Sequence, residues 1–152
     1  MAEPNFEVVK ITTEETYALR TAVLRAGTPT SDPKYAEDSK HGTVHLGIFD
    51  ANKILIATST WVINQWQEDP SAIAIQLRGM AVATSHQKSG LGKLLLDSGI
   101  THAKTLNAKY VWAKARDSAL KFYLRNDFMA VGDGFTEGVT QMPHHLVVQK
   151  LF

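Results

Sequence analysis

The residues Gln87-Lys88-Ser89-Gly90-Leu91-Gly92-Lys93 carry the clearest chemical signal in this chain. They join an apolar run expected to be a strand, Ile73 to Val82, to a run whose spacing predicts a helix from Leu91 to about Leu106. A glycine-rich turn feeding a helix presents several unpaired backbone N–H groups to one point, where the aligned peptide dipoles add about half a positive charge. Such a point suits an anion, typically a phosphate. Gly90 and Gly92 let the backbone approach a bulky ligand, and Gln87 and Lys88 can add side-chain donors. Two common phosphate motifs fail here. The dinucleotide fingerprint wants a third glycine where Leu95 stands, and the P-loop wants glycine at Gln87 and Ser or Thr at Leu94.

The elements that must position this loop can be read from period and turn residues. Phe6 to Ile11 is expected to be a first strand, and Thr12 with Glu15 has the form of a capping box. Ala18, Leu19, Ala22, Val23 and Ala26 recur at helical spacing until Gly27 and Pro29 end the helix. Thr28 to Gly42 reads as a polar loop holding at most a short helix. Val44 to Phe49 and Ile54 to Val62 read as strands joined by a turn at Asp50 to Lys53. After the loop and its helix come a short strand at Tyr110 to Ala113 and a helix from Ser118 to Arg125. Closing strands are expected at Phe128 to Val131 and Leu146 to Gln149. The order β-α-β-β-β-α-β-α-β-β describes an α/β (α+β) domain with a mixed sheet of about six or seven strands.

At 152 residues the chain makes one domain with enough apolar content for its own core. A formal charge of +1 offers no support for nucleic-acid binding, and with no cysteine there is no disulfide or thiolate chemistry. Met1 to Asn5 lack the form of a signal peptide, and no apolar run is long enough for a membrane span. A soluble cytoplasmic protein is the expectation.

The pattern Gln-x-x-Gly-x-Gly over Gln87 to Gly92, preceded by Leu77 to Val82 and followed by Leu94-Leu95-Leu96, resembles the pyrophosphate-binding motif of the GNAT superfamily of acyl-CoA N-acyltransferases. A downstream match supports it. Ala119, Phe122, Tyr123 and Phe128 fit that family's Ala-x-x-Phe-Tyr-x-x-x-Gly-Phe pattern, with Asp127 where glycine is usual. Asp can adopt the left-handed, helix-ending conformation that the glycine provides.

The resemblance implies a splayed strand pair forming an acyl-CoA cleft, with acetyl-CoA as cosubstrate. The backbone of Met80, Ala81 and Val82 would bind the pantetheine arm, an N–H near Ala81 or Val82 would polarise the thioester carbonyl, and Gln87, Lys88, Ser89, Gly90, Leu91, Gly92 and Lys93 would hold the pyrophosphate. Tyr123 would be the catalytic acid that protonates the departing thiolate. The acceptor would be a small-molecule or protein amine, and a homodimer is possible. The alternative is a non-catalytic acyl-CoA-binding or sensing module on the same fold.

Glu137, His144, His145 and His45 qualify as bases by residue type only. Phe135-x-Glu137-Gly138 and Pro143-His144-His145 resemble the Glu-Gly-Ile-Pro-His ending of one GNAT branch, interrupted by Val139 to Met142, so no role is assigned to them. Lys114-Ala115-Arg116 departs from the family's Asn-Ala-Arg. Trp61 and Trp66 could wall an acceptor pocket, and Arg78 could pair with an acceptor carboxylate. The six histidines show no metal-ligand spacing, and no serine lies in a nucleophile elbow.

Overall fold

In the computed structural model β1 is Val9–Ile11, shorter than the strand expected from Phe6. Residues 6–152 are described, and the reading of Met1 to Asn5 lies outside them. The capping box at Thr12 forms in both directions: Thr12 Oγ1 accepts from the Glu15 N–H at 3.2 Å, and Glu15 Oε1 accepts from the Thr12 N–H at 2.9 Å. It opens α1, Thr13–Leu19. A π-helical turn, Arg20–Leu24, follows, closed by the Arg25 N–H on the Arg20 carbonyl at 3.2 Å. This wider turn corrects the expected apolar stripe. Ala18, Ala22 and Ala26 face solvent, while Thr16, Leu19, Arg20 and Arg25 are buried. Polar partners, described below, make that burial of arginine possible.

The strands β2 (Val44–Phe49), β3 (Leu55–Ile63) and β4 (Ala74–Val82) lie within a residue of their expected bounds at each end. The helix α2 spans Leu91–Thr105. β5 runs Tyr110–Arg116, three residues beyond the expected Ala113, and α3 is Leu120–Arg125 behind a short 3₁₀ turn. β6 (Met129–Thr136) and β7 (Pro143–Lys150) are also longer than expected. Their added residues include Asp133, His144 and Lys150, which break the apolar pattern that marks strands in a sequence.

The seven strands form one sheet in the order β1-β2-β3-β4-β5-β7-β6. All neighbours are antiparallel except β4 and β5, which pair only over Ala74–Gln76 and Tyr110–Trp112. Beyond Gln76, β4 stays with β3 alone, so the sheet splits. A bulge accompanies the split. Thr58 opposes Ala81 and Thr60 opposes Arg78, leaving Gly79 and Met80 against Ser59. Gly79 adopts φ +57, which glycine tolerates at little cost.

Successive strand residues face opposite sides. Trp61 meets α2, where the closeness is extreme: a Cβ on Gly99 would lie 1.7 Å from Trp61 Cζ2. Thr60 therefore faces the other side, where it bonds Arg20 at 2.8 Å. The two helices cover opposite faces. The main apolar core, with Trp61, Leu95, Leu96, Val111, Ala113, Ala115, Tyr123 and Phe128, lies on the α2 and α3 side.

Candidate active site

The loop before α2 has the form its sequence predicts. Gly90 is the residue before the first helical turn at φ +86, Lys88 is also left-handed at φ +64, and no side chain caps the helix. The first intrahelical bond runs from Leu94 N–H to the Gly90 carbonyl at 3.2 Å, so Leu91, Gly92 and Lys93 offer N–H groups that a helix start cannot satisfy internally. Space for a ligand exists: a Cβ on Gly90 would meet nothing within 4 Å. Three side chains here have partners within the chain. Gln87 Nε2 donates to the Val82 carbonyl at 3.0 Å and so braces the loop, and Lys93 pairs with Asp97 at 2.8 Å. Ser89 donates its hydroxyl to the His86 carbonyl.

On β4 the Ala83 N–H bonds the Ile56 carbonyl at 2.8 Å. Alternation along the strand turns the backbone groups of Ala81 toward β3 as well, and those of Val82 toward the open flank. A cavity of about 340 Å³ fills the split and includes Leu77, Gly79, Met80, Ala113, Ala115, Ala119 and Tyr123 in its wall. It reaches Met80 but neither Ala81 nor Val82, so Tyr123 shares its space with the bulge rather than with the end of β4.

Tyr123 is 6 % exposed, held edge-on between Phe122 and Phe128 with ring centroids 5.3 Å away in each case. Its carbonyl ends α3 by accepting from Asn126 and Phe128, and Asp127 between them takes φ +70, the helix-ending conformation expected of it. The Tyr123 hydroxyl has no hydrogen-bond partner among the described residues and opens on the cavity. Burial raises the phenol well above its ordinary pKa of 10.

The opposite wall comes from the α1 face. Tyr35 lies beneath the guanidiniums of Arg20 and Arg78, each 4.3 Å from the ring centroid, with Arg25 at 5.5 Å. Arg20 is fully buried and grips Asp38 through two bonds of 2.9 Å, with further bonds to the Pro33 carbonyl and Thr60. Burial pulls the Asp38 carboxyl upward, but Arg20 and the Tyr35 N–H outweigh it and leave the pKa lowered. Arg78 pairs with Glu37 at 2.7 Å, so the partner foreseen on an acceptor is already within the protein. Neither Trp61 nor Trp66 lines the cavity: Trp61 packs under α2, and Trp66 packs at a tilt against Trp112 in a separate cluster.

The four candidate bases separate cleanly. His45 sits in the buried polar network between Thr13 and Thr60, and His145 pairs with Asp117 at 2.7 Å. Glu137 and His144 line the cavity. Glu137 accepts from the N–H groups of Val139 and Thr140, each at 2.8 Å, and thereby folds the interrupting residues Val139 to Met142 into a hairpin turn. Burial alone would raise its pKa, but those N–H donors lower it and keep the group ionised. The turn absorbs the interruption and returns His144 to the site. His144 is 5 % exposed, opposite Arg116 on β5 and Phe135 on β6. Its Nδ1 lies 2.9 Å from the Met142 carbonyl, which only accepts, so Nδ1 carries the hydrogen and, in the neutral ring, Nε2 the lone pair. No described residue bonds Nε2.

Arg25, Tyr35, Arg116 and Thr140 also line the cavity and were not singled out as site residues from sequence. Arg25 is placed by the π turn and Tyr35 by a loop, neither of which leaves a local signal. Arg116 could have been found by extending β5 past Ala113, on the face that Trp112 and Lys114 share with it.

Comparison with known proteins agrees with this geometry. Residues 13–128 match the family described as Acetyltransferase (GNAT) family. An uncharacterized N-acetyltransferase of Bacillus subtilis, YitI, is 29% identical over 148 residues, covering 95% of each chain. Among solved structures, FeeM, an N-acyl amino acid synthase from uncultured soil microbes, superposes with a TM-score of 0.83 at 12% identity, over 98% of this chain and 92% of that one. An acyl-CoA N-acyltransferase from Pseudomonas aeruginosa gives 0.75 at 19% identity, over 95% and 99% of the two chains.

Proposed function

The chain belongs to the GNAT acetyltransferase family and is an acyltransferase, and we propose that it moves an acetyl group from acetyl-CoA to a primary amine by direct attack. The observation that carries this reading is the Tyr123 hydroxyl, without a partner among the described residues, in the cavity where β4 leaves β5. The N–H groups of Leu91, Gly92 and Lys93 receive the pyrophosphate, with Gly90 giving it room. The open flank of β4, from Met80 to Val82, takes the pantetheine arm as a further strand would be taken. Because the cavity touches β4 at Gly79 and Met80, the thioester carbonyl is polarised by a backbone N–H at the bulge, slightly upstream of the Ala81 or Val82 expected from sequence.

Donor and acceptor approach from opposite sides of the split. Tyr123 belongs to the α2 and α3 face, whereas Tyr35, Arg116 and His144 belong to the α1 face. The amine nitrogen forms the new C–N bond as the C–S bond breaks. Tyr123 gives its proton to the departing sulfur, and His144 Nε2 takes the proton that the amine loses. Tyr123 keeps its proton at neutral pH, and the same dry surroundings raise the proton affinity of a thiolate formed beside it.

Calorimetric titration with acetyl-CoA, with CoA, ATP and NAD as controls, tests the reading. Saturable binding of acetyl-CoA that Gly90→Glu abolishes, followed by amine-dependent thiol release, is the expected result. Failure to bind any CoA species would sink it.

A further inference from the structure

Four arginines stand on the α1 face of the split, and the fold treats them in two ways. Arg20 is paired with Asp38 and Arg78 with Glu37. Arg25 and Arg116, which both line the cavity, have no carboxylate at ion-pair distance among the described residues. Arg25 is 8 % exposed; its Nε donates to the Asp32 carbonyl at 2.8 Å, and its two terminal nitrogens have no hydrogen-bond partner among the described residues. Arg116 uses one terminal nitrogen on the Leu24 carbonyl, leaving the rest of its fork open. Burial lowers the pKa of Arg116; the charge of Arg25 adds to that, against the pull of Tyr35 and Glu137.

The carboxylates on the cavity wall form no ion pair with Arg25 or Arg116. Asp32 accepts from the Lys34 N–H at 2.9 Å, and Glu137 holds the hairpin turn with both oxygens. With Arg78 paired to Glu37, Arg25, Lys34, Lys114 and Arg116 face Asp32 and Glu137 around the cavity, in a chain whose formal charge is +1. Retaining two half-dry guanidiniums side by side is unfavourable unless an anion completes them. The pyrophosphate loop cannot be the source, because none of Gln87 to Lys93 lines this cavity. A guanidinium fork matches a carboxylate through two parallel bonds, and Arg116 stands directly across from His144.

Resting on the acyltransferase reading above, we infer that the acceptor is an amine that also bears a carboxylate, an amino acid or close relative. Its carboxylate lies on Arg25 and Arg116, and its amino group is turned toward His144.

The test uses the wild-type protein saturated with CoA and follows its melting temperature with each proteinogenic L-amino acid and with the matching C-terminal amide. At least one amino acid should raise the melting temperature while its amide does not. Arg25→Gln and Arg116→Gln should each weaken that amino acid by at least about tenfold and leave acetyl-CoA affinity unchanged. The inference is overturned if no amino acid outperforms its amide, or if the variants lose acid and amide alike. A preference for succinyl-CoA over acetyl-CoA with amide acceptors also overturns it, because the carboxylate would then belong to the acyl chain. Absence of CoA binding refutes the acyltransferase reading instead, and the acid-against-amide comparison is then read without CoA.

Discussion

Replacing Tyr123 by Phe separates catalysis from stability, because the hydroxyl it removes bonds none of the described residues. The ring stays between Phe122 and Phe128, and the carbonyl that ends α3 is untouched. No hydrogen bond to a described residue is lost, and the hydroxyl opens on the cavity, where water can bond it. Stability should therefore stay within about 1 kcal/mol of wild type, the net worth of one solvent-exchanged hydrogen bond. The rate should move the other way. Loss of a positioned proton donor lowers kcat by roughly 10² to 10⁴, or about 2.7 to 5.5 kcal/mol of barrier. Thiol release under saturating substrates gives kcat, calorimetry gives acetyl-CoA affinity, and urea denaturation gives stability. The reasoning fails if Tyr123→Phe keeps more than half of wild-type kcat. It also fails if the loss of rate comes with an equal loss of acetyl-CoA binding or of stability.

Asp38→Asn leaves the fully buried Arg20 without its counter-charge, and urea denaturation should report a loss of roughly 3 to 5 kcal/mol. The same network should make the fold acid-sensitive early. Burial, helped by Arg20 and opposed by Asp38, depresses the His45 pKa below 6.5, so the unfolded chain binds the proton first as pH falls. The stability His45 contributes is complete above pH 6.5 and declines below it, with that of Asp38 following below 3.8. Stability measured at successive pH values should fall through this window in wild type and much less in His45→Gln. Gly99→Ala should destabilise by about 1 to 3 kcal/mol or more, since the new methyl group must displace the Trp61 ring; unchanged thermal unfolding would contradict the packing of α2.

Loop and strand chemistry that depends on local residue types was legible in the sequence. Gly90 and Asp127 take the left-handed conformations their positions called for, the Thr12–Glu15 box closes, and all seven strands occur in order. Charged or polar positions decided by tertiary partners were not. Arg20 occupies an interior position because Asp38, Thr60 and Pro33 receive it from distant segments, and the π turn that makes this possible leaves no period to detect. The acceptor wall suffered most. Its residues come from the α1 end, a long loop, β5 and the β6–β7 hairpin, which only the folded sheet gathers. Gly79 was the available hint, a glycine within a strand that marks a bulge.

The same Gly79 bears on how such an enzyme could change its acceptor. A Cβ there would lie 3.0 Å from Tyr35 and 3.2 Å from Arg20 Nε, so the bulge that opens the cleft presses against the buried ion pair. Cleft geometry and that polar cluster must therefore drift together or not at all. The hairpin held by Glu137 answers mainly to its own backbone bonds, and it too reaches the cavity through Val139 and Thr140. Evolvability is thus unevenly distributed around one pocket. Sequence diversity aimed at new acceptors belongs on the hairpin, where a loop can be exchanged without reopening the fold.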